Sequence, residues 1–216
     1  NPRTSEIREI PNGSISANSA LLFVIINSFL FISTTYFINT ICFYLSPIAL
    51  LIILGYSYTK RFTALCHLIL GLGLSLAPIG SYLAVSGEFN IIPIFFSVAV
   101  LFWVSGFDII YSLQDEDFDK EKKLHSIPVI IGTKHALQLS KLFHFFTFSA
   151  LSIVGSLGDF GGYYWIGFWV FSALLIYQHT LIKENDLSKI NLAFFTTNGI
   201  ASIIFGIFVI LDLLIN

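Results

Sequence analysis

Long stretches without charged residues divide this sequence into lengths that suit membrane-spanning helices. No Asp, Glu, Lys or Arg occurs in six runs, which cover residues 10–59, 62–87, 89–107, 142–158, 160–182 and 190–211. A helix needs about 20 mostly apolar residues to cross the hydrocarbon core of a bilayer. The runs do not alternate in polarity as porin-like strands do. The first run is long enough for two helices, and Asn39 is the predicted break between them.

The runs predict seven membrane-spanning helices and an all-α, polytopic membrane helix bundle. The predicted spans are residues 20–38, 40–58, 62–85, 91–114, 135–157, 163–182 and 190–215. They are too many and too long for a single cleaved signal peptide. Pro47 and Pro78 fall inside predicted spans, where neighbouring helices can satisfy the freed backbone groups. The small residues of 71–80 favour close packing of helices.

Composition supports a membrane environment. Hydrophobic residues make up 56% of the chain and charged residues 11%, against about 45–50% and about 25% in soluble domains. Cys42 is predicted at the outer end of one helix and Cys66 at the inner end of the next, so they cannot form a disulfide. The two cysteines give no sign of a metal or redox site.

The positive charges lie on one side of the predicted bundle. All eleven Lys and Arg residues belong to the N-terminal segment, the connections at 58–62, 115–134 and 183–189, or the helical turns beside them. The opposite connections carry only Glu88, Asp159 and Asp212. By the positive-inside rule the basic face is cytoplasmic, which places the first residue inside and the last residue outside.

The stretch from residue 107 to 128 carries the candidate chemistry. Tyr111, Asp115 and Asp119 follow Asp108 at offsets of 3, 7 and 11 residues. At about 100° per residue, offsets of 7 and 11 return close to one direction, so the three carboxylates line one stripe if the helix continues past the interface. Asp108 still lies in the apolar run, where an ionisable side chain by default indicates a functional site.

Asp115 and Asp119 are predicted to share a divalent cation. They stand four residues apart at the mouth of the predicted bundle, and Mg²⁺ is usually held by one or two carboxylates together with substrate phosphates. The predicted ligand is therefore a diphosphate. Glu116 and Asp117 point elsewhere on the helix and are predicted to be solvent charges. The alternative is that the whole charged segment is a solvated loop.

Cations that suit a diphosphate lie on the same predicted face. Tyr56 and Lys60 are four residues apart at the end of the second span, so they share one side of that helix. Arg61 follows them, and Arg3 and Arg8 precede the first span. Each of these charges is also explained by its effect on membrane topology alone.

Three other polar residues lie in predicted spans. His67 and His144 are predicted to be packed or hydrogen-bonded. Asn198, in the last span, either lines a cavity or bonds across helices.

At this point the sequence resembles the UbiA-type intramembrane aromatic prenyltransferases, in particular the 4-hydroxybenzoate polyprenyltransferases. The resemblance runs from Asn1 to the last helix, and the order and spacing of its motifs are specific. The motifs are REIPNGSIS, YSYTKRF, LAPIG, DxxYxxxDxxxD from Asp108, SIPVIIG, YQ at 177–178 and TTNGIASIIFG in the last span.

The resemblance implies an enzyme that transfers a polyprenyl group from polyprenyl diphosphate to a ring carbon of an aromatic acid such as 4-hydroxybenzoate, in quinone biosynthesis. It implies Mg²⁺ as the cofactor. The expected partners are the two substrates and the lipid bilayer, with no nucleic acid. The expected location is the bacterial inner (plasma) membrane, with the active site facing the cytoplasm.

The resemblance also implies roles for individual residues. The expected catalytic residues are Asp108, Tyr111 and Tyr56. The expected substrate-binding residues are Lys60, Arg61, Arg8, Arg3 and Asn198. The expected metal ligands are Asp115 and Asp119.

Two departures from the family pattern matter. The family bundle has nine helices, so this chain is expected to lack the first two helices and the first Asp-rich motif, and to be inactive alone. Residues 1–216 are then one N-terminally incomplete prenyltransferase domain, with a cytoplasmic segment at 1–19 and a cytoplasmic Asp-rich loop at 115–134. Arg3 and Arg8 are five residues apart, where the family pattern has four.

Other functions stay open at the level of sequence. Within the family, the acceptor could be a naphthoate-type menaquinone precursor or another ring. From another class, a membrane transporter also has seven helices with a few buried polar groups, although transporters tend to show internal repeats and none is clear here.

Overall fold

Seven long α-helices form the bundle in the computed structural model, which describes residues 8–216. They are α1 (Ala17–Ile38), α2 (Thr40–Thr59), α3 (Cys66–Ser86), α4 (Ile91–Ser112), α6 (Ile127–Leu157), α7 (Gly162–Leu181) and α8 (Asn198–Ile215). A short helix, α5 (Glu116–Glu121), lies between α4 and α6. Within the described residues, extended pairing is limited to one isolated bridge between Lys183 and Asp186. The predicted all-α fold class is confirmed.

Six of the helices in residues 8–216 are long and apolar enough to cross a membrane. The remaining long helix, α7, has 20 residues, which at about 1.5 Å per residue is about 30 Å. Its Tyr, Trp, Gln and His side chains make it less apolar than the others. It packs along α8 and shares a buried core with α4, α6 and α8. The chain is therefore an integral membrane protein.

Asn39 joins α1 to α2 without a loop. Its backbone is extended, with φ −165° and ψ 168°, and its Oδ1 accepts a hydrogen bond from the Cys42 N–H. Its Nδ2 donates to the Leu83 carbonyl of α3 at 2.8 Å. One side chain thus caps α2 and ties it to α3, which matters because lipid offers no hydrogen-bond partner. The predicted break at Asn39 is confirmed.

The central helix α4 packs against α3 on one side and α6 on the other. At Gly71 a Cβ atom would collide with the Leu101 carbonyl of α4, and at Gly106 a Cβ atom would collide with the His144 ring of α6. The Ser140 hydroxyl donates to the Gly106 carbonyl at 2.7 Å. Small residues and hydroxyls therefore set these crossings, and the packing role predicted for residues 71–80 is confirmed at Gly71.

The acidic connection differs from the prediction in two ways. The helix that carries Asp108 ends at Ser112, and Leu113–Asp115 form a tight 3₁₀ turn before α5. The condition for a single stripe, one continuous α-helix past the interface, is therefore not met, because the 3₁₀ turn interrupts it. In addition, α6 begins at Ile127 rather than at residue 135, with proline in its first turn, where the missing N–H costs nothing. Gly132, at φ 76° and ψ 160°, kinks α6 near its start.

The last helix begins with a wider turn than the sequence indicated. Leu192–Thr197 form a π-helical turn that continues into α8. The Thr197 hydroxyl donates to the Leu192 carbonyl at 3.0 Å, and the Asn198 amide donates to the Phe194 carbonyl at 2.9 Å. Single π-helical turns are often found at functional sites.

Asp212 of α8 caps the start of α7 from outside that helix. Its Oδ2 accepts the Gly161 N–H at 2.7 Å, and its Oδ1 accepts the Tyr164 N–H at 3.1 Å. The side chain is 2% exposed. A helix N-terminus has backbone N–H groups without partners inside the helix, so this carboxylate also locks α7 against α8.

We expect Asp212→Ala to lower the free energy of unfolding by about 1–2 kcal/mol, because two N–H groups at the start of α7 lose their acceptor. Reversible unfolding in detergent micelles measures the change. Glu88→Ala is the matched control, since Glu88 is an exposed acidic residue in another connection. Equal stability of the two variants would contradict the capping role.

Candidate active site

Two connections meet at one end of the bundle and hold each other through backbone hydrogen bonds. The His125 N–H, from the segment between α5 and α6, donates to the Lys60 carbonyl at the end of α2 at 2.8 Å. The Leu124 N–H donates to the Asp119 carbonyl, also at 2.8 Å. The end of α2, the acidic segment and the start of α6 therefore form one local structure.

Lys60 and Asp119 form an ion pair at the centre of this structure. The Lys60 Nζ lies 2.7 Å from the Asp119 Oδ2, with side-chain exposures of 30% and 1%. The two residues are 59 positions apart, so only the fold brings them together. The sequence placed Lys60 and Asp119 on the same predicted face but did not predict direct contact.

Asp119 has spare capacity to bind a cation. Despite the short distance, the Lys60 ammonium is not aligned for a hydrogen bond, and neither carboxylate oxygen of Asp119 accepts one from the described residues. A buried carboxylate without donors is costly, and a divalent cation would satisfy it. Within residues 8–216 no group of three or more His, Cys, Asp or Glu side chains could hold a metal ion. One or two carboxylates are enough for Mg²⁺ when a substrate supplies phosphates, so Asp119 with Asp115 fits such an ion.

Asp108 is held by a histidine from the neighbouring helix. The His67 Nδ1 lies 2.6 Å from the Asp108 Oδ2, and the Ile127 N–H donates to the His67 Nε2 at 3.4 Å. Because Nε2 accepts, Nδ1 carries the hydrogen and donates it to the carboxylate. His67 is 2% exposed. Asp108 Oδ1 accepts no hydrogen bond from residues 8–216, since the contact with His67 is through Oδ2.

Aromatic rings from α4 and from the π-helical turn pack together beside Asp108. Tyr111 stacks on Phe194 of the π-helical turn, with centroids 4.1 Å apart and planes inclined by 28°. Phe107 meets the same Phe194 ring edge-on at 5.3 Å, and Trp103 meets Phe107 at 5.4 Å. The π-helical turn thus places Phe194 against the stripe of aromatic residues on α4.

Asn198 forms hydrogen bonds to two of these aromatic residues. Its Oδ1 accepts the Trp103 indole N–H at 3.2 Å, and its amide nitrogen donates to the Phe194 carbonyl. Of the two interpretations that the sequence left open, bonding across helices is the one that the structure contains. Substrate binding by Asn198 stays a prediction.

The acidic residues around Asp119 differ in environment. Asp115 is the last residue of the 3₁₀ turn and is half-buried. Glu116 accepts hydrogen bonds from Thr133 and from Lys120, both at 2.7 Å, so the prediction that Glu116 is a solvent charge is wrong. Its bond to Thr133 ties α5 to the start of α6. Asp117 is exposed, as predicted.

The other predicted residues have different contacts. The Arg61 guanidinium lies over the Tyr58 ring, 5.5 Å from its centroid. Tyr56 is 39% exposed. Arg8 is exposed, and within residues 8–216 it forms no ion pair with the acidic segment. Arg3 lies outside the described residues.

Sequence reasoning missed three features of this region. The predicted hydrogen bonding of His67 is confirmed, but its partner Asp108 was not foreseen. Nothing in the sequence marked Phe194 as part of this site, because its position depends on the π-helical turn. Gln178, in the last turn of α7 in a YQ pair, is fully buried, and its amide has no hydrogen-bond partner among the described residues. The available signals for it were a polar residue in an apolar run and the YQ pair at 177–178 that belongs to the family resemblance.

Comparison with known proteins gives consistent findings. The profile of the UbiA prenyltransferase family matches residues 1–200. A 4-hydroxybenzoate octaprenyltransferase of Francisella tularensis subsp. mediasiatica (strain FSC147) is 31% identical over 206 residues, which are 94% of this chain and 71% of the relative. The enzyme of the same name from Tolumonas auensis (strain DSM 9187 / NBRC 110442 / TA 4) is 28% identical over 199 residues, 92% of this chain and 69% of the relative.

A solved structure has the same fold. The apo structure of a UbiA homolog from Aeropyrum pernix K1 superposes with a TM-score of 0.88 and 29% identity, covering 99% of this chain and 78% of the homolog.

We expect Lys60→Met to lower the free energy of unfolding by about 2 kcal/mol without added metal, because it leaves the buried Asp119 charge uncompensated. Unfolding in detergent micelles measures the loss. The double variant Lys60→Met with Asp119→Leu should recover part of it. Lys122→Met is the control, since the exposed pair of Lys122 and Glu121 is expected to contribute less than about 0.5 kcal/mol. An unchanged stability of Lys60→Met would contradict a stabilising ion pair.

Proposed function

Since the chain belongs to the UbiA prenyltransferase family, we propose that it transfers a polyprenyl group from polyprenyl diphosphate to a ring carbon of an aromatic acid, with 4-hydroxybenzoate as the acceptor. The family match and the relatives named 4-hydroxybenzoate octaprenyltransferase support this choice. A naphthoate-type acceptor is the alternative within the family.

The observation that carries the proposal is the environment of Asp119. A buried carboxylate without hydrogen-bond donors lies beside a partly exposed lysine, at the end of the bundle where Asp108 is also held. Carboxylates and a nearby ammonium are what a diphosphate with its divalent cation requires.

Asp115 and Asp119 would hold Mg²⁺. When bound, the ion would neutralise charge on the diphosphate and so make it a better leaving group. Lys60 would turn from Asp119 to the diphosphate oxygens, and Arg61, Arg8 and Arg3 would add positive charge around them. Groups placed to stabilise the charge that develops in the transition state usually supply the largest share of catalysis.

The reaction exchanges one bond for another. The carbon–oxygen bond between the prenyl C1 and the diphosphate breaks, and its electron pair stays on the diphosphate. The ring carbon of the acceptor then bonds to C1, and the ring loses a proton. The ring faces of Tyr111 and Tyr56, with Phe194 behind Tyr111, would stabilise the positive charge on the prenyl group.

Asp108 would orient the phenol and accept its proton through Oδ1 as the ring carbon bonds to C1. It would return that proton to the phenol oxygen when the ring carbon loses its own proton to the released diphosphate. His67 holds the carboxylate by donating to Oδ2, so His67 would act as a positioning residue. The Ile127 N–H in turn fixes the His67 ring. General bases held in this way contribute about 10²- to 10⁴-fold to rate.

The proposed location is the plasma membrane of a bacterium, with this site facing the cytoplasm. The support is the positive-inside rule, because Lys60, Lys120, Lys122 and Lys123 lie in or beside the connections that carry the proposed site. The diphosphate headgroup of the donor would enter from that side, while its polyprenyl chain stays in the hydrocarbon.

We expect Asp119→Asn and Asp115→Asn, each in the full-length protein, to lower kcat/KM about 100- to 1000-fold, because the diphosphate charge is no longer neutralised. A transfer assay with polyprenyl diphosphate, 4-hydroxybenzoate and Mg²⁺ measures the loss. Asp117→Asn is the matched control in the same segment and should keep activity, since Asp117 is exposed. Full activity of Asp119→Asn would contradict the proposed role of Asp119 as a metal ligand.

We expect Asp108→Asn to lower kcat about 100-fold and to leave the KM for the polyprenyl diphosphate unchanged, because Asp108 acts on the acceptor. Steady-state kinetics with each substrate varied in turn separates the two effects. Asp159→Asn, in a connection at the other end of the bundle, serves as the control. An equal rise in the KM for the diphosphate would place Asp108 in the diphosphate site instead.

A further inference from the structure

A second cluster of polar residues lies in a cleft between α6 and α7. The cleft has a volume of about 530 Å³, within the range of small-molecule sites. None of its lining residues takes part in the proposed reaction. Lys141, His144 and His179 supply its basic groups, and Phe148, Trp169 and Ile176 are among its apolar groups.

The basic groups lie at one depth and the apolar groups at another. Lys141 stands 16 residues before Leu157, the last residue of α6, which at about 1.5 Å per residue is about 24 Å. His179 stands 17 residues after Gly162, the first residue of α7, which is about 26 Å. By the same measure Trp169 lies about 10 Å from that end. The cleft is therefore polar near one membrane face and apolar toward the middle of the bilayer.

The two histidines are linked by a hydrogen bond, and His144 also contacts a backbone carbonyl. The His144 Nε2 lies 3.3 Å from the Trp103 carbonyl, so it must donate. The His144 Nδ1 then accepts from the His179 Nε2 at 2.8 Å. The His144 ring is neutral in this arrangement, and the hydrogen bond between the two rings joins the two walls of the cleft.

Lys141 is a cation that has no acidic partner in the cleft. It lies within the membrane-spanning part of α6, its side chain is exposed, and within residues 8–216 it forms no ion pair. No Asp or Glu lines the cleft. A lysine in a spanning helix that finds no acid in the protein must turn to the interface or to an anion in the lipid.

We propose that this cleft binds an anionic phospholipid, with the phosphate paired to Lys141 and one acyl chain lying along Phe148, Trp169 and Ile176. Charge complementarity selects the anionic headgroup, because the lining offers a cation and no acid. The gradient from polar to apolar selects an amphiphile rather than a free ion. The site is independent of the proposed transferase chemistry.

Native mass spectrometry of the purified chain tests the proposal. The chain is titrated with phosphatidylglycerol or with phosphatidylcholine of the same acyl chains, and the retained lipid is counted. We expect phosphatidylglycerol to be retained several-fold more than phosphatidylcholine, and excess inorganic phosphate not to displace it. Equal retention of the two lipids, or displacement by phosphate, would overturn the proposal.

Four variants locate the bound lipid. Lys141→Gln should reduce phosphatidylglycerol retention to the phosphatidylcholine level, and Lys141→Arg should restore it. Ala173→Trp, which fills the apolar part of the cleft, should lower retention while leaving Lys141 in place. Lys189→Gln removes an exposed lysine outside the cleft and should retain lipid as the unaltered chain does. An equal loss in Lys189→Gln and Lys141→Gln would indicate general surface charge and overturn the assignment, as would full retention in Ala173→Trp.

Discussion

Lipid offers no hydrogen-bond partner to the backbone of this chain, so backbone groups must be satisfied within the protein, and the architecture follows from that constraint. Backbone groups are satisfied by helices. Where a helix must start or stop, a side chain from another helix completes the bonding, as Asn39 does with Leu83 and Asp212 does with Gly161. These bonds stand in for the water that a soluble protein would use, so each one also fixes which helices are neighbours.

The same constraint explains why the candidate chemistry is concentrated at one end of the bundle. Charged side chains are tolerated only near water or in mutual contact, and the end of α2, the acidic segment and the start of α6 provide both. Lys60 holds Asp119, and His67 holds Asp108. The two acids thus have different partners, which suits the two roles proposed for them, Asp119 toward the diphosphate and Asp108 toward the acceptor ring.

The sequence was sufficient for features that depend on local composition. Charge-free runs placed the seven helices, and Asn39 marked a helix break because a polar residue interrupts an apolar run. Features that depend on contacts distant in sequence could not be predicted. The 3₁₀ turn after Ser112, the pairing of His67 with Asp108 and the π-helical turn before Asn198 each arise where one helix is shaped by another. The family resemblance supplied roles for Asp115 and Asp119 that spacing alone left open.

The π-helical turn at Leu192–Thr197 also has a consequence for the register of the last helix. Such a turn accommodates one more residue than an α-helical turn does, so deletion of a single residue there would regularise the helix. Residues after the turn would keep their direction about the helix axis, because the wider turn already absorbs the surplus residue. Asp212 would therefore stay at the start of α7, whereas Phe194, inside the turn, would move relative to Tyr111. One surplus residue thus sets the position of Phe194 without changing the register of α8.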